Sequence, residues 1–192
     1  FITGWKTHYN CSAGMFSNTR AIISDVHGYK WIGPQKGLYR FIENSPVGEV
    51  CTFYKMQNSI GSNIVSDAIY MGPDTVWFGT PDGYSQLAGK NNWWLNNGVL
   101  GINRIVRDKN GLLMFGTKMN GIYYQDFIPY NQYLAGETIN DIAVDPITNV
   151  FWLAKDNGLT KAVHNGTNFT FTHYTTAQGL PDNWCRSVAI DS

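Results

Sequence analysis

A short block returns four times along this chain and limits what it can fold into more than any other feature. It reads Lys30-Trp31-Ile32-Gly33-Pro34-Gln35-Lys36-Gly37-Leu38-Tyr39, then Val76-Trp77-Phe78-Gly79-Thr80-Pro81-Asp82-Gly83-Tyr84. The third copy runs from Leu113 to Tyr123 and the fourth from Phe151 to Leu159. Each copy is an apolar or aromatic pair, a small residue, a polar turn, a Gly and a second apolar stretch. Anchored on Trp31, Trp77, Met114 and Trp152, the spacings are 46, 37 and 38 residues. A β-rich unit of about 40 residues with no helical period is the mark of a propeller blade. The expected fold is therefore all-β, a β-propeller of four-stranded antiparallel blades, with about four full blades plus partial ones.

Turn signals divide each unit. In the fourth, Ile142 and Val144 alternate as a half-buried strand should. Pro146-Ile147-Thr148-Asn149 and Asn157-Gly158 are turns. Val150–Ala154, Leu159–Val163 and Phe169–Tyr174 are the second to fourth strands. First strands are expected over Thr19–Asp25, Val65–Met71, Ile102–Asp108 and, at the end, Cys185–Asp191. An outer strand is expected near Gly4–Tyr9. The units fall at about 5–50, 51–90, 91–126, 127–168 and a partial 169–192. Asp25, Asp108, Asp145 and Asp191 recur at one column, with Met71 in the second unit. There they are expected to hold turn backbone by Asx-type hydrogen bonds.

Composition excludes several roles. Fourteen basic and fourteen acidic side chains cancel, and no basic stripe exists to meet a nucleic-acid backbone. No apolar run reaches membrane-spanning length. Cys11, Cys51 and Cys185 have neither disulfide-framework nor zinc spacing, and fit small buried hydrophobes. No metal site and no cofactor is expected. Asn10-Cys11-Ser12, Asn165-Gly166-Thr167 and Asn168-Phe169-Thr170 match the glycosylation acceptor pattern. The start at Phe1 leads us to expect a processed chain or a piece of a longer one.

Tyr174-Thr175-Thr176-Ala177-Gln178-Gly179-Leu180-Pro181-Asp182-Asn183-Trp184-Cys185-Arg186-Ser187-Val188-Ala189-Ile190-Asp191, with the Trp-Ile-Gly and Gly-Leu-Tyr blocks, resembles the two-component regulator propeller repeat. The resemblance covers nearly the whole chain and is loosest in the second unit. It implies a seven-bladed ring, completed by further blades or by other copies. It also implies a periplasmic or extracellular place and a role as the ligand-sensing part of a signalling receptor. Glycan fragments are the ligands that the family commonly detects.

In a propeller, the loops leading into the inner strands gather at one mouth of the channel, where a rigid scaffold can present binding residues. The candidate ligand-binding residues are Arg20, Asp67, Arg104, Asp141, Trp184 and Arg186. The column Arg20, Ser66, Asn103, Asn140 and Arg186 varies from unit to unit, as a ligand surface would. Arginines there can fork onto a carboxylate of an acidic sugar, or can pair with Asp67 or Asp141. Trp184 can stack on a sugar ring or pack between blades. No catalytic residue is assigned. His8, His27, His164 and His173 are expected in turns or outer strands, and no hydrolase, zinc or phosphate-loop motif occurs. Two other readings stay open. One is a structural or adhesive surface protein, using aromatics such as Tyr123, Tyr124, Tyr130 and Tyr133. The other is a propeller lyase.

Overall fold

The computed structural model describes residues 18–42, 51–54, 60, 62–89, 92–96, 98–99, 101–125 and 131–191. The expected strand at Gly4–Tyr9, together with His8, Cys11, Tyr130 and the Asn10 acceptor motif, lies outside these residues.

Four antiparallel four-stranded sheets form, each from strands consecutive in sequence. The first holds β1 (Ala21–Ser24), β2 (Tyr29–Gly33), β3 (Leu38–Ile42) and β4 (Cys51–Tyr54). The second holds β5 (Asp67–Gly72), β6 (Thr75–Thr80), β7 (Gly83–Ala88) and β8 (Asn92–Asn96). The third holds β9 (Ile102–Arg107), β10 (Leu113–Thr117), β11 (Ile122–Tyr124) and β12 (Asn131–Tyr133). The fourth holds β13 (Ile139–Val144), β14 (Phe151–Lys155), β15 (Gly158–His164) and β16 (Phe169–Tyr174). Inner strands sit side by side in the order β1, β5, β9, β13. Hydrogen bonding thus groups residues 21–54, 67–96, 102–133 and 139–174, whereas the repeat spacing divides the chain at other points.

The local chemistry explains the strands. Along β15, Gly158, Thr160 and Ala162 are buried while Leu159 and Lys161 are partly exposed, the period-two pattern of a sheet with unequal faces. Gly158 turns the β14–β15 hairpin with φ 129°, a conformation that residues with a Cβ rarely adopt. At the far end of the inner strands, Asp25 Oδ1 accepts the amides of His27 and Tyr29 at 3.0 Å each. Asp108 Oδ1 does the same for Asn110 and Leu112 at 2.8 Å, and Asp145 for Ile147 and Thr148 at 2.8 and 3.0 Å. These three Asp residues of the column are turn clasps. Burial pushes the Asp108 carboxyl up, but hydrogen bonds from Tyr124, Asn149, Leu112 and Asn110 outweigh it and hold the group below its ordinary range.

Blades meet through aromatic faces and a glycine column. Trp31 lies 5.4 Å from Phe78, and Trp77 6.1 Å from Phe115. Gly33, Gly79 and Gly116 face the first residues of the next blade. A Cβ on Gly33 would fall 2.7 Å from Val65 Cβ, one on Gly79 2.5 Å from Ile102 Cγ2, and one on Gly116 2.8 Å from Ile139 Cγ2. The Gly of the repeat is there for close approach of blade to blade. The fourth blade has Ala154 at this column, and the facing position carries Cys185 instead of Val or Ile.

Three expectations need correction. Residues 185–191 form no strand, because no neighbouring strand pairs with them among the described residues. They are tied to the fourth blade at single points, such as Cys185 N to Lys155 O at 2.9 Å. Tyr124 is not a surface aromatic. It is 1% exposed, with its hydroxyl donating to Asp108 Oδ2 at 2.7 Å. His164 ends β15 rather than sitting in a turn, and its ring packs 4.9 Å from that of Tyr124. On β8 the two neighbouring tryptophans divide as strand geometry requires: Trp93 packs on Tyr54 and Phe78, and Trp94 is 65% exposed.

Candidate functional site: the channel mouth

Two layers of side chains arise where the inner strands begin. The outer layer is Arg20, Ser66, Asn103, Asn140, Trp184 and Arg186, which line one cavity of about 540 Å³. The variable column read from the sequence is thus brought together in space, with Trp184 added.

Half of this layer is committed to joining blades. Ser66 Oγ donates to Ile102 O. Asn103 Nδ2 donates to Ile139 O at 2.9 Å, and Asn140 Nδ2 to Cys185 O at 2.9 Å. The same latch recurs three times, twice between blades and once to the end segment, so these polar residues serve packing first. Arg20 and Arg186 do not. Both are exposed, and neither forms an ion pair among the described residues.

Trp184 is 54% exposed. Its Nε1 donates to Asp156 Oδ1 at 3.1 Å, which also accepts from Asn140 Nδ2 at 2.9 Å. The Arg186 guanidinium lies 4.1 Å from the indole centroid, a cation–π arrangement that holds both groups at the rim. The capped turn at Thr175–Gly179 and a bond from Thr176 N to Asn183 Oδ1 at 2.8 Å fix the segment leading to them.

The second layer is Asp67, Arg104 and Asp141, one residue further along their strands. Arg104 Nε lies 3.0 Å from Asp141 Oδ1 and its Nη1 3.6 Å from Asp67 Oδ1. Asp67 Oδ2 accepts the Ile105 amide of the next blade at 2.7 Å. Asp141 Oδ2 accepts the Val188 amide at 3.1 Å and the Ser187 hydroxyl at 2.8 Å. These carboxylates are clasps between blades, with Arg104 as the shared counter-ion. Burial raises the Asp67 carboxyl above its ordinary range; the Ile105 amide and Arg104 offset this only in part. Of the six candidate residues, Arg20, Trp184 and Arg186 are exposed in the lining of the cavity, while Asp67, Arg104 and Asp141 engage one another. His27, His164 and His173 are absent from the lining of this cavity.

One feature near the mouth was not legible in the sequence. Thr80 and Thr117 close their hairpins by donating to Gly83 O and Gly121 O at 2.9 and 2.8 Å. The fourth blade places Lys155 there, 2% exposed, paired with Glu137 and 3.5 Å from His173 Nδ1. Only the break in a repeated column could have marked it.

No protein-family model and no curated protein matches the chain. Solved structures do. The extracellular domain of BT4673 from B. thetaiotaomicron, assigned to a hybrid two component system, superposes with TM-score 0.70 at 19% identity, covering 91% of this chain and 25% of that one. The fold is a β-propeller. The extracellular domain of BT3049 from the same organism, assigned likewise, gives 0.66 at 19% identity, over 88% of this chain and 23% of that one. Virginiamycin B lyase from Staphylococcus aureus gives 0.60 at 17% identity, over 87% and 59%. Extracellular domains assigned to two component systems are thus among the structures similar to this one. The chain spans about a quarter of the first structures it matches.

Proposed function

We propose that this propeller portion is the extracytoplasmic, ligand-sensing part of a signalling receptor, and that it binds an acidic carbohydrate or similar polar anion at the channel mouth. The observation that carries this reading is the pair Arg20 and Arg186, which lack a carboxylate partner among the described residues and share one cavity with the exposed Trp184. A guanidinium can grip a carboxylate or sulfate with two parallel hydrogen bonds. An indole face beside it suits the apolar face of a sugar ring. The similarity to extracellular domains of two-component sensors supports the sensing role. In this reading further blades or other copies complete a ring, seven-bladed as the resemblance implies. Ligand then acts by favouring one arrangement of propellers over another.

The test is calorimetric titration with uronate and sulfated oligosaccharides. Each of Arg20→Ala and Arg186→Ala is expected to weaken binding about tenfold or more, the loss of one charge-assisted contact, at unchanged melting temperature. Equal affinity in wild type and both variants would remove the arginines from the site.

A further inference from the structure

The junction between the first and second blades contains a cavity that the junction between the third and fourth has filled. Ladder register makes the comparison residue by residue. Trp31 faces Arg40 as Met114 faces Tyr124, and Val76 faces Leu87 as Phe151 faces Ala162. Two residues on from Leu87 is Gly89; two on from Ala162 is His164. At the filled junction the His164 ring packs on Tyr124 at 4.9 Å and on Phe169 at 4.7 Å, and Phe169 on Phe151 at 5.7 Å. At the other junction those places hold Arg40, Gly89 and Val76. Gly89 and Val76 leave the places of the His164 and Phe151 rings open, and a cavity of about 460 Å³ lies there, walled by Arg40, Tyr70, Val76 and Gly89 among others. This is within the size range of small-molecule sites. It sits at the Asp25 end of the inner strands, away from the mouth.

The wall chemistry is selective. Each of its carboxylates already has a partner. Asp25 takes the His27 and Tyr29 amides and the Trp31 indole N–H at 2.9 Å. Asp74 is paired with His27 across the junction. Two donors stand beside them. The Arg40 guanidinium lies over Tyr29, Trp31 and Tyr54 at 4.8, 5.3 and 5.7 Å from their centroids, and no carboxylate pairs with it among the described residues. The Tyr70 hydroxyl is buried in the same wall without a hydrogen-bond partner among the described residues. Stacking occupies the guanidinium face and leaves its edge N–H groups for an acceptor.

We infer that this junction is a second binding site, for a small planar aromatic carboxylate. The ring takes the place that His164 fills at the other junction, and the carboxylate meets the edge of Arg40.

The probe is indole-3-acetate, with indole-3-acetamide as its uncharged counterpart, titrated into the ¹⁵N-labelled chain. The Trp31 side-chain N–H reports on the cavity and the Trp184 N–H on the mouth. A saturable shift of the Trp31 signal with the acid is expected, at an affinity about fivefold or more above that of the amide, as a charge-assisted contact gives. Arg40→Gln, which keeps a planar head, should lose this preference, and Arg40→Lys should keep part of it. The acid–amide comparison in wild type stands even if either variant fails to fold. No Trp31 shift, a shift confined to Trp184, or equal affinity for acid and amide would each overturn the proposal.

Discussion

Replacing Gly79 with valine is expected to destabilise the protein by about 3 kcal/mol, the upper part of the range for overpacked cores. The position has an ordinary backbone, so the cost is one of space. A Cβ there would fall 2.5 Å from Ile102 Cγ2 and 3.2 Å from Ile105 Cδ1. Ile102 is 1% exposed and anchors the next blade, so it can yield only by moving that blade outward. Interiors packed at crystal density have little room for this. Gly116→Val should behave alike against Ile139. Gly28→Ala makes the control, because a Cβ at Gly28 meets nothing within 4 Å, although φ 83° adds local strain. Urea unfolding would measure all three. A Gly79→Val midpoint at or above that of Gly28→Ala would refute the close-approach account.

Removing Glu137 is the second large effect. Lys155 is buried with Glu137 as its counter-ion, and its other near polar neighbour is the His173 ring. Losing one partner of a buried pair leaves a charge that the interior cannot solvate, which costs about 3–5 kcal/mol. Glu137 is partly exposed, so Glu137→Ala should lie near the lower figure, about 3 kcal/mol. Lys155→Met should cost far less, within about 1 kcal/mol, because it removes the buried charge and keeps the volume. Thermal and urea unfolding give the comparison. Equal losses in the two variants would mean that the pair contributes as a surface salt bridge does.

These effects track what could be read from sequence. The Trp-Ile-Gly block gave the blade because a repeated small residue beside repeated aromatics is a packing demand, visible without coordinates. The Asp column gave its turns because an Asx bond is local, made within four residues. The mouth column was legible as a column, and it does line one cavity. What each member does was not. Arg104 is bound by carboxylates 37 residues away on either side, Asn103 by a carbonyl of the next blade and Asn140 by one of the end segment; those partners are set by how distant parts of the chain abut. Lys155 and Gly89 are departures from the repeat, and their consequences, a buried ion pair and a vacated junction, appear only when neighbouring blades are compared. The end segment at 185–191 has the sequence of an inner strand, yet a strand exists only with a partner beside it.

The most direct measurement is the Trp184 side-chain N–H signal of the ¹⁵N-labelled chain during titration with an acidic oligosaccharide such as a galacturonate oligomer. The account predicts a saturable shift of that signal, weakened in both Arg20→Ala and Arg186→Ala, with the outer-strand Trp94 signal unmoved. A Trp184 signal that stays in place while the sugar binds elsewhere, or a shift indifferent to both arginines, would contradict it.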